Sequence, residues 1–158
     1  MITVTIDDRA FHEYLSALGA RMGDMTPAMD SIGNVLETRI RERFATRTDP
    51  QGAPWALWRP STRENYPFPG SSAAAQLGPG NARLLDRYGT MLDTLSYTAD
   101  QSSVLIGFAQ PYAAYHEWGT RYMARRGMLM ADPDAGTLGD DDEKAVLDIL
   151  ADWLGAAA

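Results

Sequence analysis

The sequence predicts an α+β fold made of a long N-terminal helical hairpin, a small antiparallel sheet and a C-terminal amphipathic helix. Apolar residues recur every three to four positions over residues 11–44 and again over 146–154, while short alternating runs occupy 95–98 and 104–107. At 158 residues the chain has the length of one domain, read as a single unit over 1–158 with a long proline-rich loop at about 48–81.

Taken in order, Ile2, Val4 and Ile6 alternate with Thr3 and Thr5, the period of a strand with one buried face. Asp7 then caps a helix whose stripe is Phe11, Leu15, Leu18 and Met22, and Gly23 stops it. Thr26 as cap and Pro27 at the first helical position open a second helix with the stripe Met29, Ile32, Leu36, Ile40 and Phe44. Glu37 and Arg41 pair on its outer face. The two helices form a hairpin or one long kinked helix.

Between Thr48 and Asn81 the periodicity stops, and six of the nine prolines fall there, so no regular element is expected. Asp49-Pro50-Gln51-Gly52 is a turn that delivers Trp55 and Trp58 as anchors, and the glycine- and alanine-rich stretch at 69–81 is read as flexible. From Asn81 a short or bent helix carries Leu84, Leu85, Tyr88, Leu92 and Leu95, interrupted by Gly89. The runs 95–98 and 104–107 then form a hairpin, joined to the N-terminal strand in one sheet. A last helix aligns Val146, Ile149, Leu150, Trp153 and Leu154.

Between hairpin and last helix lies the densest stretch, Tyr112-Ala113-Ala114-Tyr115-His116-Glu117-Trp118-Gly119-Thr120. Pro111 suits a helix start, and small alanines let a short helix sit close to its neighbour. Gly119 ends it. Tyr112, Tyr115 and either Trp118 or Gly119 share a face, turned either to the core or to a partner, with His116 and Glu117 directed elsewhere.

Without cysteine, the chain has no disulfide, thiolate nucleophile or cysteine-based metal site. The first residues lack a basic start and apolar core of a signal peptide, and no apolar run nears bilayer length, so a cytoplasmic setting is expected. The whole net charge of −7 sits in residues 127–158, where eight acids face Lys144 alone, and the rest of the chain is balanced. Arg39, Arg41, Arg43 and Arg47 form a local basic patch, but an acidic end on the same chain argues against specific binding to nucleic acid. Arg39, Arg43 and Arg47 could instead meet Asp140, Asp141, Asp142 and Glu143 of another copy head to tail. The plainer reading gives those acids to the N-terminal dipole of the last helix.

Catalytic motifs fail on missing residues. Lys144 is the one lysine and lies among acids, which removes a phosphate-cradling loop, and no Gly-x-Ser-x-Gly elbow occurs. His116-Glu117 starts like a zinc-protease helix, but position 120 is Thr and His12 is the other histidine. No catalytic residue, cofactor, metal or small-molecule substrate is expected. His116 stays open as an acid–base group beside Glu117, with Asp86 or Asp93 as partners, against the reading in which it hydrogen-bonds backbone and fixes a turn.

Three blocks, taken together, resemble the phage virion morphogenesis or tail-completion proteins of contractile-tailed phages and prophages. They are Phe44 with Asp49-Pro50-Gln51-Gly52-Ala53-Pro54-Trp55, Leu84-Leu85 with Tyr88-Gly89-Thr90-Met91-Leu92, and Gly107 with Tyr112 to Gly119. The family's usual Arg-Pro-Phe-like segment is replaced by Ala124-Arg125-Arg126-Gly127-Met128-Leu129. Glu117-Trp118-Gly119-Thr120 is also similar to the head-tail joining and neck proteins of siphophages. The resemblance implies a structural subunit, not an enzyme, that completes or caps the tail and lets it join a head. It implies a homo-oligomeric ring, neighbours among the tail or connector proteins, and assembly in the host cytoplasm into the virion.

Overall fold

The computed structural model of the protein describes residues 9–60, 62, 85 and 90–155. The strand expected over 2–6, the side chain of Phe11, Leu84, Tyr88 and the glycine-rich stretch at 69–81 lie outside the described residues. Along the chain come α1 (Arg9–Gly23), α2 (Thr26–Thr46), α3 (Thr90–Asp93), β1 (Leu95–Ala99), β2 (Val104–Phe108), α4 (Ala113–Trp118) and α5 (Asp140–Gly155). These helices and the two-stranded antiparallel sheet are an α+β arrangement, as the sequence predicts.

α2 is the frame. Its start differs by one residue from the expected one: Met25 occupies the cap and Thr26 is already helical. The reason is Asp24, whose charged carboxylate accepts the Thr26 N–H at 3.0 Å and is the stronger acceptor for that orphan donor. At the other end Arg47 takes a left-handed conformation with φ 61°, and its N–H bonds back to the Arg43 carbonyl at 2.7 Å. Ala28, Ile32, Leu36 and Ile40 are buried on one side of α2, against which the hairpin and α5 pack. Arg41 reaches Glu37 at 2.7 Å, the expected pair, but on the side of α2 that faces β1 rather than the outer one, since the same guanidinium donates to the Leu92 and Leu95 carbonyls at 3.3 and 3.4 Å.

The hairpin runs in the register Leu95↔Phe108 to Ala99↔Val104. The Asp100 carboxylate closes its loop by accepting the N–H groups of Ser102 and Ser103 at 2.8 and 2.7 Å. Leu95, which the sequence offers to both helix and strand, belongs to β1, and α3 has ended at Asp93. β1 approaches α2 closely because Gly33 has no side chain; a Cβ there would run into the Tyr97 ring. Tyr97 in turn donates its hydroxyl to Asp30 at 3.0 Å.

α1 makes its contact with α5. Arg21 donates to the Trp153 carbonyl at 2.6 Å and lies 5.1 Å above the indole centroid. Leu15 and Met22 of the predicted α1 stripe are exposed, whereas Val146, Ile149, Leu150, Trp153 and Leu154 of α5 are half-buried as one face. Within the expected structureless loop, Pro60 and Thr62 are helical, with the Thr62 N–H donated to the Arg59 carbonyl at 2.9 Å. Proline's fixed φ and missing N–H suit that helical start.

Candidate functional site

The site is built where three distant parts of the chain meet. Trp55, Met91, Ala113 and Met128 form one buried cluster, with Phe44, Leu85, Phe108 and Leu129 packed against it. Phe44 meets Trp55 edge to face with centroids 5.4 Å apart, and Phe108 at 5.9 Å.

The 49–55 turn brings Trp55 there by its own chemistry. The Asp49 carboxylate accepts the N–H groups of Gln51 at 2.9 Å and Ala53 at 2.8 Å, and Gly52 supplies the positive φ of 80° the turn needs. Thr48 and Pro54 then pair as an antiparallel bridge. Trp55 is buried and donates its indole N–H to the Gly127 carbonyl at 2.9 Å; Trp58 is half-buried. Pro50 packs on Gly139, where a Cβ would strike the Pro50 carbonyl. Beside it the Gln51 side chain accepts the Asp140 N–H at 3.3 Å and donates to the Asp140 carboxylate at 3.2 Å, which satisfies one of the orphan donors at the start of α5.

α4 is the short helix expected after Pro111, which lies one residue before the cap Tyr112; its carbonyl accepts the Ala114 N–H at 3.3 Å. Gly119 ends it with φ 76°, and Arg125 backbone lies where a side chain would go. Ala113 and Glu117, four residues apart, form the buried face, while Tyr115 and Trp118 point away and are exposed. Trp118 donates its indole N–H to Asp134 at 3.2 Å.

Glu117, absent from the site residues singled out in the sequence, is the centre of the arrangement. Although 98% buried, its carboxylate accepts three successive backbone N–H groups, from Met128, Leu129 and Met130, at 2.7, 3.0 and 2.9 Å. A charged acceptor facing three main-chain donors is a strong local arrangement, and it fixes residues 128–130 against α4. Arg125 completes it, with its guanidinium 3.7 Å from the carboxylate and donating to the Glu117 and Met130 carbonyls at 2.8 and 2.6 Å. Arg126 is buried next to it and donates to the Ala56 and Leu57 carbonyls at 2.7 and 3.3 Å, tying the segment after Trp55 to the same body.

His116 fixes the turn differently from the sequence expectation. Its main-chain carbonyl, not its ring, accepts the Arg126 N–H at 2.8 Å, and its buried Nδ1 has no hydrogen-bond partner among the described residues. Burial, and then the nearby Arg126 charge, hold the imidazole below its ordinary pKa. Glu117 has its oxygens occupied by backbone and does not orient the ring. Asp86 lies outside the described residues, and Asp93 is exposed on α3. Among the described residues no group of three or more acidic or histidine side chains could hold a metal.

The charges sort into two sets. Arg43 and Asp142 are buried and paired with each other, joining α2 to the first turn of α5, and Arg43 also donates to the Met128 carbonyl at 2.8 Å. Arg39 stands 3.6 Å from the same carboxylate. Asp142 thus faces its partners inside one chain, while Arg47, Asp140, Asp141 and Glu143 are exposed.

The model of the phage virion morphogenesis family matches residues 6–155, nearly the whole chain. The chain belongs to that family. Its role is therefore in phage virion assembly. No curated protein and no solved structure matches the chain. The match takes in all three blocks, and the side chains that carry the central cluster, Phe44, Trp55, Leu85, Met91 and Ala113, are drawn from those blocks. The segment Ala124 to Leu129, where the resemblance led us to expect an Arg-Pro-Phe-like sequence, supplies Arg125, Arg126, Gly127 and Met128 to the same body. No helix among the described residues is long and apolar enough to cross a membrane.

Proposed function

We propose that this virion morphogenesis protein is a structural subunit that completes or caps the phage tail and enables it to join the head, acting as a homo-oligomeric ring. The observation that carries the reading is the use made of the Tyr112–Thr120 segment. Its acidic residue is spent on locking backbone, while Tyr115 and Trp118 are held outward on a rigid helix. That is the chemistry of a clasp presenting a contact face, and it leaves the His-Glu pair without the geometry of an acid–base dyad. The whole chain acts as one domain, in which the Asp49 to Trp55 turn braces the core and the exposed aromatic residues, with Trp58, are its contacts with tail or connector proteins during assembly in the host cytoplasm.

Deleting the gene from its phage and examining the lysate by electron microscopy tests this. The expected result is full heads and separate tails, with joining restored when purified protein is added. Normal virions from the deletion strain would sink the reading. The Glu117-Trp118-Gly119-Thr120 run favours a second reading, a head-side connector of the siphophage kind. In that case purified protein binds and restores the heads rather than the tails.

A further inference from the structure

We propose that Tyr115, Trp118 and Tyr122 form the face on which a second copy of this chain docks, and that the copy presents Leu147 of its α5, flanked by Asp140 and Glu143. The inference rests on the reading of the protein as a subunit that assembles with itself.

The three rings are 61%, 52% and 72% exposed and fall within eight residues. Such a concentration of large aromatic surface in water marks contact sites more often than chance placement. The patch is also stiff. Trp118 is tethered to Asp134, and Arg121 lies 5.5 Å from the centroid of Tyr122. The helix beneath is pinned through Glu117 to residues 128–130. Rings already held in place lose little freedom on docking, and aromatic residues with arginine are the usual anchors of protein interfaces.

What fits this face is an apolar knob ringed by acids, because the rim of the patch carries the exposed cation Arg121. α5 has that feature. Leu147 is 57% exposed and shares a stripe with Asp140 and Glu143, on the side of the helix away from Val146, Ile149 and Trp153, and the nearby Lys144 is already paired with Asp148 at 2.6 Å. Among the described residues the longest run of acids is Asp140 to Glu143, in a segment, 127–158, that holds eight acids against one lysine. A contact between two faces on different sides of the chain is heterologous, whereas a two-fold contact would need both faces within one patch. The contact is head to tail, and it closes into a ring when the rotation between neighbours permits. Asp142 takes no part, because it is buried with Arg43.

The chain's lack of cysteine makes the test direct. Sedimentation of the unaltered protein over a wide concentration range first establishes whether copies associate. Tyr122→Cys and Leu147→Cys, each at an exposed residue, are then oxidised separately and mixed. A covalent pair only in the mixture is expected. Arg121→Glu should weaken self-association at least tenfold, and adding Glu143→Arg in the same chain should recover it. Association that gives no mixed cross-link, that cross-links through Tyr122→Cys alone, or that ignores Arg121→Glu overturns this surface and leaves the assembling subunit standing. A protein monomeric at every concentration overturns both, and points the aromatic face toward a different virion protein.

Discussion

Three consecutive main-chain N–H groups converging on one buried carboxylate make Glu117 the residue with most to lose from a small change. Glu117→Gln keeps its size, removes the charge and turns an amide NH2 toward donors that need an acceptor. Hydrogen bonds to charged groups are worth about 1.5–3 kcal/mol each, so a loss of about 2–4 kcal/mol is expected in chemical denaturation. A loss below 1 kcal/mol would show that residues 128–130 are held by something else. His116 has the opposite problem, a ring whose charge is disfavoured. Its pKa is lowered on folding, so above the unfolded-chain value of about 6.5 both states are neutral and nothing is lost. As pH falls below that value the unfolded chain takes up the proton first, and stability drops until the folded value is passed. Melting temperature measured from pH 8 to 5 should therefore fall, and His116→Asn should start lower but follow a flatter line. An unchanged slope would assign the pH dependence elsewhere. The sequence drew attention to the right stretch, Tyr112 to Thr120, but to the wrong member of the His116–Glu117 pair. A histidine among aromatic rings is conspicuous, whereas backbone donors eleven to thirteen residues away leave no mark in side-chain pattern.

Between elements, the junction of α2 and α5 depends on charge buried inside the chain. Removing one member of such a pair strands the other, which costs about 3–5 kcal/mol, while replacing both by apolar groups is often near neutral. Arg43→Met and Asp142→Leu should each lower stability by that amount, and the double variant should recover most of it; additive losses in the double variant would mean the two side chains do not interact. A signal for this pair was present in the sequence. Arg43 follows Leu36 and Ile40 along the stripe of α2, and Asp142 precedes Val146 and Ile149 along that of α5, so each charge interrupts an apolar face. Helices, hairpin and the apolar faces of α2 and α5 were legible because periodicity reports which side is buried. It does not report against what. The stripe of α1 illustrates the difference, since Leu15 and Met22 stand exposed while the helix meets α5 through Arg21 and Trp153.

At the scale of the molecule, the three sequence blocks are one object. Trp55, Met91 and Ala113 come from different blocks and enclose Met128, which belongs to none of them. Each block alone reads as a turn or a short helix, so their meeting could be recognised only as a pattern. The bonds that hold the object together span long stretches of chain: 72 residues from Trp55 to Gly127, and 99 from Arg43 to Asp142. A ribosome delivering about 5–20 residues per second exposes α2 several seconds before its partners exist. Nothing in the first two thirds of the chain can complete the cluster, and the acidic α5 emerges last. A chain broken off early therefore lacks both the Glu117 lock on residues 128–130 and the whole of α5. On the proposed head-to-tail contact, synthesis itself withholds incomplete copies from the growing virion, because α5 is the last element to leave the ribosome.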